Sequence, residues 1–348
     1  MCFQFYSLYL QTTKTNTIMK KVLLSLVATL IATMSLAQNG LVASLSHEGN
    51  VTYYYGVTAL TQAVEAAASG DIINLSGGSF TATNITKGIT IRGAGIDSQE
   101  PTYINGDFSI NITDDTKRFM MEGIKCANAM TLSGSYTNPF FLKCYFKQVT
   151  YNSTMDDIKN IMFVNCKIPS GFSAGANNTF NLVNCYIGGL NQRDNATLAV
   201  TNCIIRDNYY NNNYLRQCQF FNCIFISSNG RAYAKIPSSS QATDCISVNF
   251  GDHDFFSELS VRTGCPTTSL EFGAVFKTFT GTYTDEETFE LTETAKTTYL
   301  GTDGLEIGLY GGLQPYNSTP SYPLITTMNV DKETTPEGKL GVTIEVSK

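Results

Sequence analysis

Tryptophan is absent from this chain, histidine occurs twice, and no Cys-x-x-Cys pair is present. His47 and His253 lie far apart in the sequence, so a closed zinc centre lacks its usual ligands. Charged residues make up 15% of the chain and the net charge is -6. Lys and Arg nowhere cluster, which argues against binding a phosphate backbone and so against a nucleic-acid partner. Beyond the N-terminus no apolar run is long enough to span a bilayer. The central part of the chain also lacks apolar runs of helical period, which excludes helical solenoids.

The N-terminus carries an export signature. Residues 1–18 read as an upstream start, because Met19 opens a better signal: Lys20 and Lys21, then the apolar stretch Val22 to Leu36, then Ser35-Leu36-Ala37. Cleavage near Ala37 leaves a mature chain from Gln38, secreted or held at the cell surface. No Cys sits just after that point, so a bacterial-style lipid anchor is not expected.

What dominates the rest is a repeated phrase. It reads Phe163-Val164-Asn165-Cys166-Lys167-Ile168, Leu182-Val183-Asn184-Cys185-Tyr186-Ile187, Val200-Thr201-Asn202-Cys203-Ile204-Ile205 and Phe220-Phe221-Asn222-Cys223-Ile224-Phe225. A phrase recurring about every 20 residues marks a solenoid. With Cys as position zero, apolar residues fall at minus five, minus three, zero and plus two. A single strand would keep a period of two, so the step of three places a bend between two short strands. Asn stands at the bend, where its tolerance of left-handed backbone geometry suits it. Asn repeated at one corner can also hydrogen-bond along the stack. Lys125, Lys143 and Asp244 hold the same place in poorer copies.

Export and ten Cys would ordinarily suggest a disulfide framework. Cys2 leaves with the signal, and Cys126, Cys144, Cys166, Cys185, Cys203, Cys223 and Cys245 recur at intervals of 18 to 22. That spacing favours a stack of buried, inert thiols, with disulfides between adjacent turns as the rival. Cys218 falls on the apolar minus-five site.

Thr58 to Ser69 reads as a helix with Leu60, Val64, Ala67 and Ala68 on one face, placed to cover the open first turn. Asp71-Ile72-Ile73-Asn74-Leu75 and Gly88-Ile89-Thr90-Ile91-Arg92-Gly93 follow as the first strands. The fold expected is all-β: a single-stranded right-handed parallel β-helix over residues 38–312 with a capping helix near 58–69. Residues 313–348 form a C-terminal extended segment and strand pair, read as a β-hairpin cap on the last turn.

These opening strands and the Asn-Cys turns resemble secreted right-handed parallel β-helix proteins of the pectate-lyase-like superfamily. Thr302-Asp303-Gly304-Leu305-Glu306-Ile307-Gly308-Leu309-Tyr310-Gly311-Gly312 is similar to the closing segment of exported members from Bacteroidetes-type bacteria. The resemblance implies a fold and no particular reaction, since the superfamily holds lyases, hydrolases, epimerases and adhesins. The Trp-containing lyase motif is missing, and Asp252-His253-Asp254 is its nearest echo. Asp114-Asp115 and Asp156-Asp157 are isolated pairs without the partner motifs of polygalacturonase-like hydrolases. No catalytic residue carries over from the family.

Function is therefore sought in the unrepeated corners. Arg206, Asp207, Tyr209, Tyr210 and Tyr214 combine flat rings with hydrogen-bonding groups, the mix a sugar face requires. Asp252, His253 and Asp254 are the weaker candidates, as acid, base or metal ligands, beside the plainer reading of a polar turn. The residues favour a monomeric exported protein that binds a carbohydrate or surface polymer without catalysis and without a cofactor. A diverged polysaccharide lyase or glycoside hydrolase, the former with Ca²⁺, and a structural surface protein are the alternatives.

Overall fold

The computed structural model describes residues 40–113, 117–151, 157–175, 177–192, 196–206, 217–228, 230, 236, 238–330 and 342–347, with backbone alone for the last strand pair from 324. The segment read as an export signal falls outside this set. Short strands, parallel but for an antiparallel hairpin at the start of the first sheet, stack into a twelve-stranded sheet and a thirteen-stranded sheet that face each other across one core. The parallel ladder of the first sheet begins with Ile72–Leu75 beside Thr90–Arg92 and ends with Val261–Thr263. This is a parallel β-solenoid.

The repeat sets the register. Ile161, Phe180, Leu198 and Cys218 are successive partners in the first sheet, as are Phe163, Leu182, Val200 and Phe220. All are buried, and rings on adjacent turns stack, Phe141 lying 4.5 Å from Phe163 at 13°. At the bend, Asn165, Asn184, Asn202 and Asn222 have φ of 54°, 48°, 52° and 54°, with Lys143 at 53° and Asp244 at 49°. That conformation turns the chain from the first sheet into the second within one residue. The third strand of a turn is present as Phe172–Ala174 and Leu190–Gln192.

Cys166, Cys185, Cys203 and Cys223 are wholly buried and unpaired. Their role is more than filling. The residue after the bend has an amide that the backbone ladder does not reach, and sulfur of the next turn accepts it. Cys166 N donates to Cys185 Sγ at 3.5 Å, Cys185 N to Cys203 Sγ at 3.3 Å, and Cys223 N to Cys245 Sγ at 3.4 Å. Each thiol also donates to the carbonyl two residues back, as Cys203 does to Thr201 O at 3.2 Å. A thiol is apolar enough for this core yet has a donor and an acceptor. Burial pushes the Cys126, Cys144 and Cys218 thiols up, Cys144 to about 12.

Two assignments change at the ends of the stack. Lys125 pairs with Tyr145 and Cys126 with Phe146, while Glu122 pairs with Leu142. The bend there is Gly123, φ 68°, so Lys125 is not a bend residue and Cys126 sits at plus two rather than zero. Glycine enters the left-handed region without a Cβ penalty, which moves the corner two residues upstream. At the other end Gly264 (φ 66°) makes the bend and Cys265 accepts from Cys245 N at 3.4 Å. Its spacing of 20 from Cys245 fits the repeat, although the series expected from the sequence ends at Cys245.

The N-terminal region holds more than a helix. Strands Val42–His47 and Asn50–Tyr55 form an antiparallel hairpin on the edge of the first sheet. Its turn is Glu48-Gly49, φ 48° and 84°, the doubly left-handed geometry of tight hairpins. Helix α1, Ala59–Ala66, packs Ala59, Leu60, Ala63 and Val64 inward. It is shorter than expected and Ala68 is exposed, because the backbone becomes extended at Ala67.

After Leu270 the chain turns back along the outside. Val275, Phe276, Phe279, Phe289, Leu291 and Leu309 form a second core with Tyr186, Ile204, Ile224 and Ile246, the plus-one residues on the outer face of the second sheet. Residues 301–322 then run along the bend corner toward the first turns. Asn222 Oδ1 accepts from Thr302 N at 3.2 Å, and Asn184 Nδ2 donates to Leu309 O and Gly311 O at 2.8 Å. Lys143 Nζ donates to Thr319 O at 2.6 Å, Glu122 Oε1 accepts from Ser321 N at 2.6 Å, and Tyr322 OH donates to Gly93 O. The corner Asn side chains Asn184 and Asn222 thus bond to the returning strap rather than to one another. The strand pair Leu324–Val330 and Val342–Ser347 departs beside Thr90–Arg92, not from the last turn. Among the described residues no contact of this pair with the last turn is seen.

Removing one sulfur isolates its role. Cys203→Ala strands the buried Cys185 amide, and should cost about 1–3 kcal/mol more in urea unfolding than Cys126→Ala. Equal costs would mean the sulfur acceptor contributes nothing.

Candidate functional site

The outer face of the second sheet carries one row of aligned plus-one residues. Successive register partners are Tyr103, Lys125, Tyr145, Lys167, Tyr186, Ile204, Ile224 and Ile246. Rings and ammonium groups alternate at the spacing of neighbouring strands, ~4.8 Å. Lys125 Nζ lies 5.6 Å from the Tyr103 ring centre and 4.8 Å from that of Tyr145. Toward the C-terminal turns the row becomes aliphatic and is covered by the returning chain. Toward the N-terminal turns it stays polar and open.

Asp285 marks the boundary. Its carboxylate accepts from Tyr145 OH at 3.2 Å and lies 3.4 Å from Lys125 Nζ, and its carbonyl accepts from the buried Lys167 Nζ at 3.1 Å. Asp285 opens an acidic run with Glu286, Glu287, Glu290 and Glu293, yet it is tied to the scaffold. Burial, reinforced by Asp285, pushes the Tyr145 phenol up to about 12, and burial raises Tyr283 further. Tyr283 stacks 4.7 Å from Tyr186 at 5°.

Two grooves flank this segment. One, of about 490 Å³, is lined by Tyr145, Lys147, Pro169, Ser170, Arg206, Ser228 and residues 281–283. It holds two cations and no carboxylate among its lining residues. Arg206 ends the strand Ile204–Arg206, and its guanidinium lies 5.5 Å from the Tyr283 ring centre. The other groove, about 570 Å³, is lined by Asp97, Lys167, Asp285, Glu286, Glu287, Tyr310 and Tyr316 among others.

Of the sequence candidates, Arg206 belongs to the first groove. Asp207, Tyr209, Tyr210 and Tyr214 follow it directly in the chain but lie outside the described residues. Asp252 is exposed, His253 is half-buried, and Asp254 is committed elsewhere. Asp254 Oδ2 accepts from Arg262 Nη1 at 2.7 Å, and Oδ1 accepts from Phe256 N at 3.1 Å, the bonds of a structural turn. Asp254 therefore spends both oxygens on the protein itself. Among the described residues no group of three or more His, Cys, Asp or Glu could hold a metal ion. No helix among them is long and apolar enough to cross a membrane.

Tyr103, Lys125, Tyr145, Lys147 and Tyr283 were missed from the sequence. For Tyr103, Lys125 and Tyr145 the signal was present at plus one, but aligning Cys126 with Cys144 sets Ala127 opposite Tyr145 and hides the alternation; Lys147 and Tyr283 lie outside that position. Comparison with protein-family models, with curated proteins and with solved structures returns no match.

Tyr186 joins scaffold and covering chain. Tyr186→Ala should cost about 3–5 kcal/mol and loosen the wrap against hydrogen exchange across residues 272–311. Unchanged protection there would show that the stack does not hold the wrap.

Proposed function

We propose that this is an exported parallel β-helix protein that binds a carbohydrate or surface polymer through the outer face of its second sheet, without catalysis. The observation that carries this reading is the row Tyr103–Lys125–Tyr145 leading into the groove of Lys147, Arg206 and Tyr283. Phenol rings offer flat apolar faces, and the cations, Ser170 and Ser228 offer hydrogen bonds, the combination that fixes a hydroxyl-rich ring. A row repeated once per turn suits an extended polymer better than a compact molecule. The solenoid in this reading is right-handed, as in the superfamily the sequence resembles, and the export signal delivers it outside the cell.

One observation favours a second reading, a diverged polysaccharide lyase or hydrolase. Asp97, Asp285, Glu286 and Glu287 line the adjoining groove, and carboxylates flanking a substrate are what glycoside chemistry uses. A single experiment separates the two: the secreted chain is screened on a glycan array, with product detection on every bound polymer in the presence and absence of Ca²⁺. The proposal expects binding without product, and about tenfold weaker binding for Arg206→Ala or Tyr145→Ala, a loss of ~1.4 kcal/mol. Released product would favour the second reading. Binding untouched by both substitutions would move the site elsewhere.

A further inference from the structure

The strand Asn50–Tyr55 is the outermost of the twelve-stranded sheet, and among the described residues it pairs with Val42–His47 alone. No other strand among the described residues bonds to the backbone amides and carbonyls of its other edge. Proteins protect such edges with lysine, proline, a bulge or a covering element. This strand, Asn-Val-Thr-Tyr-Tyr-Tyr, contains no charge and no proline, and its register with Val42–His47 is unbroken. Helix α1 leaves the outer face uncovered: Val51 is 51% exposed, Tyr53 57% and Tyr55 63%. These three residues share one face, opposite Ser46, Ser44 and Val42, while Tyr54 points to the core beside Ala43. An apolar row of this size beside an open edge is an interface without its partner.

We propose that the partner is a second copy of this chain, added antiparallel through the same strand about a two-fold axis at Tyr53. The sequence is self-complementary in that register. Tyr53 meets Tyr53 of the other copy, and Val51 meets Tyr55. On the inner face Thr52 meets Tyr54, so both faces keep their polarity. Aromatic–aromatic and aromatic–β-branched pairs are the favourable cross-strand neighbours, and no like charges oppose one another. An antiparallel pairing of identical strands closes on itself, which makes a dimer rather than a filament. The two solenoids then meet at their N-terminal ends and join their first sheets into one. The Tyr/Lys rows of the two copies lie on one rod, doubling the length available to a polymer. The dimer itself does not depend on what that row binds.

One strand pair is a small interface, so the dissociation constant should fall on the order of 10⁻⁶ to 10⁻⁵ M. Sedimentation velocity on the mature chain at rising concentration should show a species of twice the chain mass. Tyr53→Lys sets two ammonium groups against each other at the axis and should weaken the dimer about tenfold or more. Because Tyr53 is exposed in the single chain, circular dichroism should be unchanged. Tyr53→Cys should cross-link to itself on mild oxidation, since opposed Cα atoms in an antiparallel pair lie within disulfide reach, whereas Thr58→Cys should not. A monomer at every concentration would overturn the proposal, as would a dimer indifferent to Tyr53→Lys. A monomer whose Asn50–Tyr55 amides resist hydrogen exchange would place another segment of the chain on that edge, and would overturn it equally.

Discussion

Each turn of the solenoid must change direction in one residue while keeping the amides on both sides bonded, and the rest of the molecule follows from how this is done. The left-handed bend swings the chain from one sheet to the other, but it carries the next amide out of reach of the backbone ladder. An unpaired buried amide costs about 1–3 kcal/mol, and the bend recurs through the stack. Sulfur at the following position removes the penalty from inside the core where the Cys185, Cys203, Cys245 and Cys265 thiols accept from the turn before them. This explains why the residue is cysteine. Alanine has no acceptor, and serine is more polar than this core of Phe, Ile and Leu favours.

The bend also decides what faces outward. The plus-one residue is thrown to the outer face of the second sheet on every turn, so one position writes a row along the rod. Where that position is Ile, the row is a second core and the returning chain covers it. Lys167 and Tyr186 are buried as well, and the half-exposed Tyr103, Lys125 and Tyr145 form the candidate binding face. Asp285 lies at the changeover, its carboxylate on the polar half and its neighbours Tyr283 and Phe289 on the apolar half. The strap that follows uses Asn184 and Asn222 as bonding points, so the Asn side chains fasten the far end of the chain to the scaffold while their backbones make the bends.

Much of this was legible in the sequence, for a physical reason. The bend and the buried sites depend on local backbone geometry and alternation, which a repeat displays several times over. The four full Asn-Cys copies therefore yielded the register, the bends and the burial of Cys218. Errors arose where a single copy departed from the pattern, as where Gly123 took over the bend and shifted Cys126. The wrap and strap were hidden because they depend on contacts between residues far apart in the chain, such as Asn184 with Leu309. One trace was readable: Cys203-Ile204-Ile205 and Cys223-Ile224-Phe225 are apolar without alternation, which means burial on both faces. The Tyr/Lys row was readable only once the register was right.

The central claim is that the corner residue is chosen for its backbone conformation. Asn165 tests it most directly, because its side-chain oxygen has no partner. Urea unfolding of Asn165→Gly, Asn165→Ala and Asn165→Val should rank stability Gly first and Val last. Ala should fall about 1 kcal/mol below Gly, and Val about 2, as left-handed geometry penalises a Cβ and then a branched one. A valine variant as stable as the glycine variant would contradict the account.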